Sequence, residues 1–282
     1  MTANPRRVQL APGYILHSHP YRDTSRILEV LTRDAGRLSL FARGVRGPKA
    51  KLAAHLQPFR RLLLSWSGRG EAAQLTGAES AGAHVDLPPG SLMAGFYLNE
   101  LLLKLTHRHD PVSPVFDLYD ATLEALKRGA SLEPTLRIFE KRLLDALGYG
   151  VALDVDARTG AGIDADAYYH FRPEQGLVRV TADAPGALSG ESLLALAREE
   201  FPDARTLEDA RRLLQSALTH CLEGRELNTR VVARSVARLV PHKASGRGTK
   251  ASEEVAPRAG GSDVAFRRVV MDDPSSKPGS RS

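Results

Sequence analysis

The apolar residues of this chain repeat at two different periods, and the change falls near residue 90. Before it, short apolar runs alternate with polar residues, as along half-buried strands. After it, apolar residues recur every three or four positions, as on one face of a helix. Strands first and helices after predict an α+β chain.

The first part holds apolar runs at residues 14–16, 27–31, 38–42, 61–66 and, more weakly, 71–78. Asp34-Ala35-Gly36 and Gly68-Arg69-Gly70 are turn signals between them. The gap after the third run is longer and carries Gly44, Gly47 and Pro48; its residues 50–56 are compatible with a helical turn. Five short strands with a connection after the third fit a small antiparallel barrel. OB-fold and SH3-like barrels both give this pattern, and strand count does not separate them. Phe41 and Trp66 are assigned to the barrel core, and Tyr21, in a polar turn, to the surface.

Leu92, Phe96, Leu98, Leu101, Leu102 and Leu105 form the first helical stripe. Phe116, Leu118, Leu123 and Leu126 form a second, closed by Gly129. Pro134 sits in the first turn of a third, which runs through Leu136, Phe139, Leu143 and Leu147. Further helices are expected at 189–200, 206–221 and 228–240. Between them, 151–186 is irregular, with a hairpin at 168–171 and 177–180. The expected division is a barrel at 1–82 and a helical domain at 83–240 that contains the insertion 151–186. Residues 241–282, rich in Gly, Ser, Pro and charge, are expected to be a disordered tail.

Charge is unevenly placed. Residues 1–80 carry thirteen Lys and Arg against five Asp and Glu, a formal +8, while 81–240 carry −5 and 241–282 carry +3. A basic barrel ahead of an acidic body points to an acidic partner for the barrel, most often nucleic acid. Arg43, Arg46, Lys49 and Lys51 lie in and around the long loop among glycines that let a backbone approach phosphate closely. Arg22, Arg26, Arg37, Arg60 and Arg61 belong to the same domain, and the nine cations are the candidate DNA contacts. None of them implies base reading, so sequence-tolerant binding is expected.

One cysteine, Cys221, excludes a disulfide framework and any four-cysteine zinc site. Asp154, Asp156, Asp164 and Asp166 do not make a calcium loop, because Arg158 falls where an oxygen ligand is needed. His17 and His19 can share a strand face, with a surface pair as the default. No nucleophile elbow, phosphate-binding Gly-Lys-Ser/Thr loop or His-Glu-x-x-His occurs. No enzyme activity, metal or cofactor is therefore expected. No apolar run reaches membrane-spanning length and no secretory signal is read at the start, so a cytoplasmic protein is expected.

Several short motifs together resemble the RecO family of bacterial recombination-mediator and repair proteins. They are Gly13-Tyr14-Ile15-Leu16-His17-Ser18, Tyr21-Arg22-Asp23-Thr24-Ser25, Gly36-Arg37-Leu38-Ser39-Leu40 and Ala42-Arg43-Gly44-Val45-Arg46. Leu56-Gln57-Pro58-Phe59, Tyr97-Leu98-Asn99-Glu100-Leu101-Leu102, Leu136-Arg137-Ile138-Phe139-Glu140 and Leu147-Gly148-Tyr149-Gly150 continue the likeness in order over about 10–240. The resemblance implies an N-terminal five-stranded OB-fold barrel followed by an all-α helical domain. It also implies binding of single- and double-stranded DNA, strand annealing, and engagement of the single-stranded-DNA-binding protein SSB. RecR is the implied co-worker, and RecA the protein loaded onto SSB-coated DNA. A nucleoid-associated monomer fits that role. Many members carry a zinc module where this chain has its insertion. Here Asp156-Ala157-Arg158-Thr159-Gly160 replaces the first Cys-x-x-Cys-Gly, which resembles a zinc-free branch. The insertion is then expected to be held by packing of Tyr168, Tyr169, Phe171 and Leu177.

For the acidic, Phe-ended SSB tail, Arg137 and Lys141 are the candidate cations, with Leu101 and Leu144 as apolar walls. Two other readings compete. In one the barrel is an adaptor for an acidic protein, which a DNA-binding assay separates. In the other the scaffold carries an uncharted nuclease or transferase, which the lack of clustered carboxylates in the basic third disfavours.

Overall fold

The computed structural model describes residues 7–45, 52, 55–68, 73–82 and 85–229, all within one compact unit, 1–240. The expected tail, the helix beyond residue 229, and Arg46, Lys49 and Lys51 lie outside the described residues.

Five strands close into a barrel: β1 (Arg7–Tyr21), β2 (Ser25–Thr32), β3 (Gly36–Ala42), β4 (Leu62–Ser67) and β5 (Gln74–Ser80). Their order around the barrel is β1-β2-β3-β5-β4. Closure depends on the length of β1. Its second half pairs antiparallel with β2 and its first half with β4, and Gly13 is shared by both ladders. Between β3 and β5 the pairing is parallel, at Phe41 and Gln74, with the Phe41 N–H donating to the Ala73 carbonyl at 2.9 Å. Ile15, Leu28, Val30, Leu38, Leu40, Leu62, Leu64 and Trp66 fill the interior. Trp66 is core, as expected.

A 3-10 turn at Pro89–Ser91 leads into α1 (Leu92–Leu105), followed by α2 (Ser113–Lys127) and α3 (Leu132–Ala146). Later come α4 (Gly190–Arg198) and α5 (Ala204–Cys221). Local chemistry sets the last two starts. The Ser189 hydroxyl accepts from the Ser192 N–H at 3.1 Å and the Asp203 carboxylate from the Thr206 N–H at 2.7 Å, each an N-cap.

A second apolar cluster, apart from the barrel interior, joins barrel and helices. Tyr14, Leu16, Leu31 and Phe59 of the barrel part pack in the same cluster as Leu98, Phe116, Tyr119 and Phe139. Polar contacts fix the junction. Arg33 grips Asp117 with two bonds of 2.9 Å, Tyr14 donates to Asp120, and the Asn99 amide donates to the Leu16 carbonyl at 2.8 Å. Burial first, and Asp120 next, push the Tyr14 phenol well above its ordinary pKa, so it stays a donor.

The insertion forms β6 (Tyr168–Arg172), β7 (Gly176–Val180) and β8 (Leu188–Ser189), ordered β7-β6-β8, with the hairpin where the pattern placed it. Packing holds it in part: Tyr169 and Leu177 are buried, while Tyr168 and Phe171 are half-buried. A second element is electrostatic. Buried Asp156 accepts from the N–H groups of Arg158 at 2.8 Å, Thr159 at 3.2 Å and, across to β7, Arg179 at 3.2 Å. One carboxylate thus organises the turn over 156–160 and ties it to β7. Burial alone would raise its pKa, but the three N–H donors hold it below the ordinary value. The stability it adds is therefore present above the ordinary aspartate pKa and fades as pH falls through the lowered folded value. Asp156→Ala is expected to abolish slow hydrogen exchange at the Arg158, Thr159 and Arg179 amides while protection in β2 persists. Exchange mass spectrometry checks this.

Candidate nucleic-acid interface

On β2 and β3 the inward residues are Leu28, Val30, Leu38, Leu40 and Ala42. The alternation of strands then puts Ile27, Glu29 and Leu31, and Arg37, Ser39 and Phe41, on the outer face. Register adds β1 to this face. Phe41 lies opposite Ile27 and Ile27 opposite His19; Ser39 lies opposite Glu29 and Glu29 opposite His17. Tyr21 follows two residues after His19, on the same side.

The two ends of this face differ. At the end formed by the start of β2 and the end of β3, Tyr21 and Phe41 meet edge to face, with ring centroids 5.1 Å apart and planes at 82°. The Arg22 guanidinium lies 5.4 Å from the Tyr21 ring centre and that of Arg43 lies 5.5 Å from the Phe41 ring centre. The four side chains run in the order Arg22, Tyr21, Phe41, Arg43. They border an open cleft of about 850 Å³ also lined by Thr24, Ile27 and Gln74. Arg26 is half-buried on β2 beside it. Arg26 and Arg43 make no ion pair among the described residues. Rings and cations together can stack bases and neutralise phosphate.

At the other end the cations are already engaged. Arg37, expected to face DNA, bonds Glu29 at 2.9 Å and the Thr106 carbonyl at 2.9 Å, with its side chain 13% exposed. Arg60 pairs with Asp86 and Arg61 with Asp120, both at 3.3 Å. Arg37, Arg60 and Arg61 therefore belong to the junction, because Glu29 of the neighbouring β2 faces Arg37 and Asp86 and Asp120 face Arg60 and Arg61. Glu29 is the centre of that end. Burial would raise its pKa, but the Ser39 hydroxyl at 2.5 Å, Arg108 at 2.6 Å and Arg37 hold it below the ordinary value.

Phe41, expected in the barrel core, is half-buried on the outer face and meets the Tyr21 ring edge to face. The signal was in its parity. Leu38, Leu40 and Ala42 point inward, so Phe41 must point outward with Ser39.

The second candidate site is mostly core. Leu101 and Leu144 are buried, at 0% and 1% exposure, and form no wall of an open cleft. Arg137 is 8% exposed and bonds the fully buried Glu140 at 2.8 Å, to which Tyr97 also donates. Lys141 bridges Asp145 at 3.4 Å and Glu199 at 3.5 Å. No group of three His, Cys, Asp or Glu that could hold a metal occurs among the described residues.

The closed barrel is an OB-fold, and with its helices the molecule is an α+β, OB-fold protein. The sequence profile described as "Recombination protein O N terminal" matches residues 8–84, and "Recombination protein O C terminal" matches 89–230. Similar proteins include the DNA repair protein RecO of Methylococcus capsulatus, 44% identical over 82% of this chain and 96% of its own length. That of Nitrosococcus oceani is 42% identical over 83% and 96%, and that of Coxiella burnetii 42% identical over 80% and 97%. The chain belongs to the RecO family of DNA repair proteins.

Proposed function

We propose that the protein is a non-enzymatic recombination mediator whose barrel, residues 1–82, binds single- and double-stranded DNA along the Arg22–Tyr21–Phe41–Arg43 face. That set of paired rings and guanidiniums is the observation that carries the reading. Arg26, and Arg46, Lys49 and Lys51 of the long loop, add phosphate contacts. Cations on a stacking platform hold a strand by its backbone with bases accessible, and they lower the repulsion between two strands. Annealing of complementary strands follows.

The helical domain, 83–240, makes the protein contacts. SSB docks its acidic tail on the α3 face through Lys141, RecR joins, and RecA is loaded onto SSB-coated DNA. The protein acts as a monomer on the nucleoid, in the cytoplasm. Among the described residues no helix is long and apolar enough to cross a membrane.

Single-stranded DNA binding tests the core of this. The slope of log affinity against log salt should be about −0.7 per phosphate contact, and Arg22→Ala/Arg43→Ala should flatten it by about 1.4. An unchanged slope, or no DNA binding at moderate salt, removes the assignment and favours the adaptor reading. For SSB, Lys141→Glu is the cleaner probe than Arg137, which is tied to buried Glu140.

A further inference from the structure

We infer that His17 and His19 form a proton-linked phosphate site that carries the nucleic-acid path from the Tyr21–Phe41 platform toward the helical body. This rests on the platform being the DNA interface.

His17, His19 and Tyr21 occupy alternate positions of β1, on its outer side, and all three are exposed. The two imidazoles meet edge to face with centroids 4.1 Å apart. Neither makes a hydrogen bond or ion pair among the described residues. His19 lies in the row of Ile27 and Phe41, directly beside the platform. His17 lies in the row of Glu29 and Ser39, next to the junction. The pair thus occupies the two rows from the platform to Glu29, which Arg108 of the α1–α2 loop bonds at 2.6 Å.

The charged groups facing His17 are few. On β1 it meets His19. On β2 it faces Glu29, whose carboxylate is taken up by Ser39, by Arg37 of β3 and by Arg108. Glu29 therefore has little left to hold an imidazolium. Burial first, and His19 second, keep the His17 pKa below its ordinary value, against a smaller upward pull from Glu29. Two imidazoles this close resist sharing their patch with two protons unless an anion is present. A phosphodiester continuing from the platform is such an anion. It lies within reach of ring N–H donors and favours the charged form.

The sign follows from linkage. If bound phosphate raises the pKa of His17, binding takes up a proton. Affinity then rises as pH falls through the bound-state pKa, and levels off below the free-state value. One proton gives up to about tenfold per pH unit.

The experiment titrates an oligothymidylate onto the full chain from about pH 5.5 to about pH 8, the window of imidazole titration, at constant ionic strength. Thymine has no base nitrogen that gains a proton there. Wild type should tighten toward low pH, and His17→Gln/His19→Gln should remove most of that trend while matching wild type at the alkaline end. Calorimetry of wild type in two buffers of different ionisation enthalpy should show about one proton taken up per site at mid-window. A pH trend equal in the variant, or no proton uptake, overturns the inference with the platform intact. Loss of DNA binding at every pH in the histidine variant also overturns it, since that is not proton linkage. Wild type that binds no oligothymidylate at any pH removes both the platform reading and this one.

Discussion

Glu29→Ala is expected to destabilise the protein by about 3–5 kcal/mol, measured as a fall in the urea midpoint at constant slope. Glu29 is 6% exposed and receives Ser39, Arg37 and Arg108. Removing the carboxylate takes the counter-charge from the Arg37 guanidinium, itself mostly buried, and removes the Arg108 ion pair. The loss therefore exceeds that of a surface ion pair, about 0–1 kcal/mol. Glu29→Gln keeps the volume and one acceptor, and should cost less. The pH dependence has a fixed sign. With its folded pKa lowered, Glu29 adds stability above the ordinary glutamate value and loses it as pH falls through the folded value. The wild-type and Glu29→Gln stability curves should therefore converge in acid. If Glu29→Ala costs under about 1 kcal/mol, the pair is not the buried junction described here.

Gly36→Ala should cost at least about 2 kcal/mol, in thermal or denaturant unfolding. Gly36 ends the β2–β3 turn with φ at +68°, where a side chain is strained. A Cβ there would lie 2.3 Å from the Asp110 carbonyl oxygen and 2.5 Å from its carbon. These are backbone atoms of the α1–α2 loop, which cannot rotate away. They sit there because the His109 N–H donates to the Arg37 carbonyl at 2.8 Å. Gly129→Ala is the control. It has a φ of +82° with nothing within 4 Å of its Cβ, so it carries the dihedral cost without the clash. Equal losses at the two positions would show that the Gly36 contact contributes nothing.

Both predictions concern the junction between strands and helices, which is where sequence reasoning was weakest. Period located the strands and helices because burial of one face is a local property. Leu38, Leu40 and Ala42 declare β3, and Leu98, Leu101 and Leu105 declare α1, without reference to any distant residue. The role of an arginine is not local. Arg37 and Arg43 look alike in sequence, six residues apart on the same basic strand and its continuation. One is bound to Glu29 and a helix-end carbonyl, and the other lies over Phe41. Only the pairing of β2 with β3 and the approach of α1 decide between them. Leu101 and Leu144 show the same limit from the apolar side, since a helical stripe does not say which of its residues meets solvent. Asp156 is legible in sequence as a departure from the Cys-x-x-Cys-Gly pattern that the resemblance implies, but not as the organiser of its turn, because its third donor comes from Arg179 on a strand twenty-three residues later.

The most direct measurement of the central claim compares single-stranded DNA affinity at fixed salt for two double variants. Tyr21→Ala/Phe41→Ala removes the platform, and base stacking of about 1–3 kcal/mol per ring predicts at least a tenfold loss. Arg60→Ala/Arg61→Ala removes two cations already paired at the junction with Asp86 and Asp120, and should bind within about threefold of wild type. A platform variant that binds like wild type, or a junction variant that loses as much, would contradict the placement of DNA on this face.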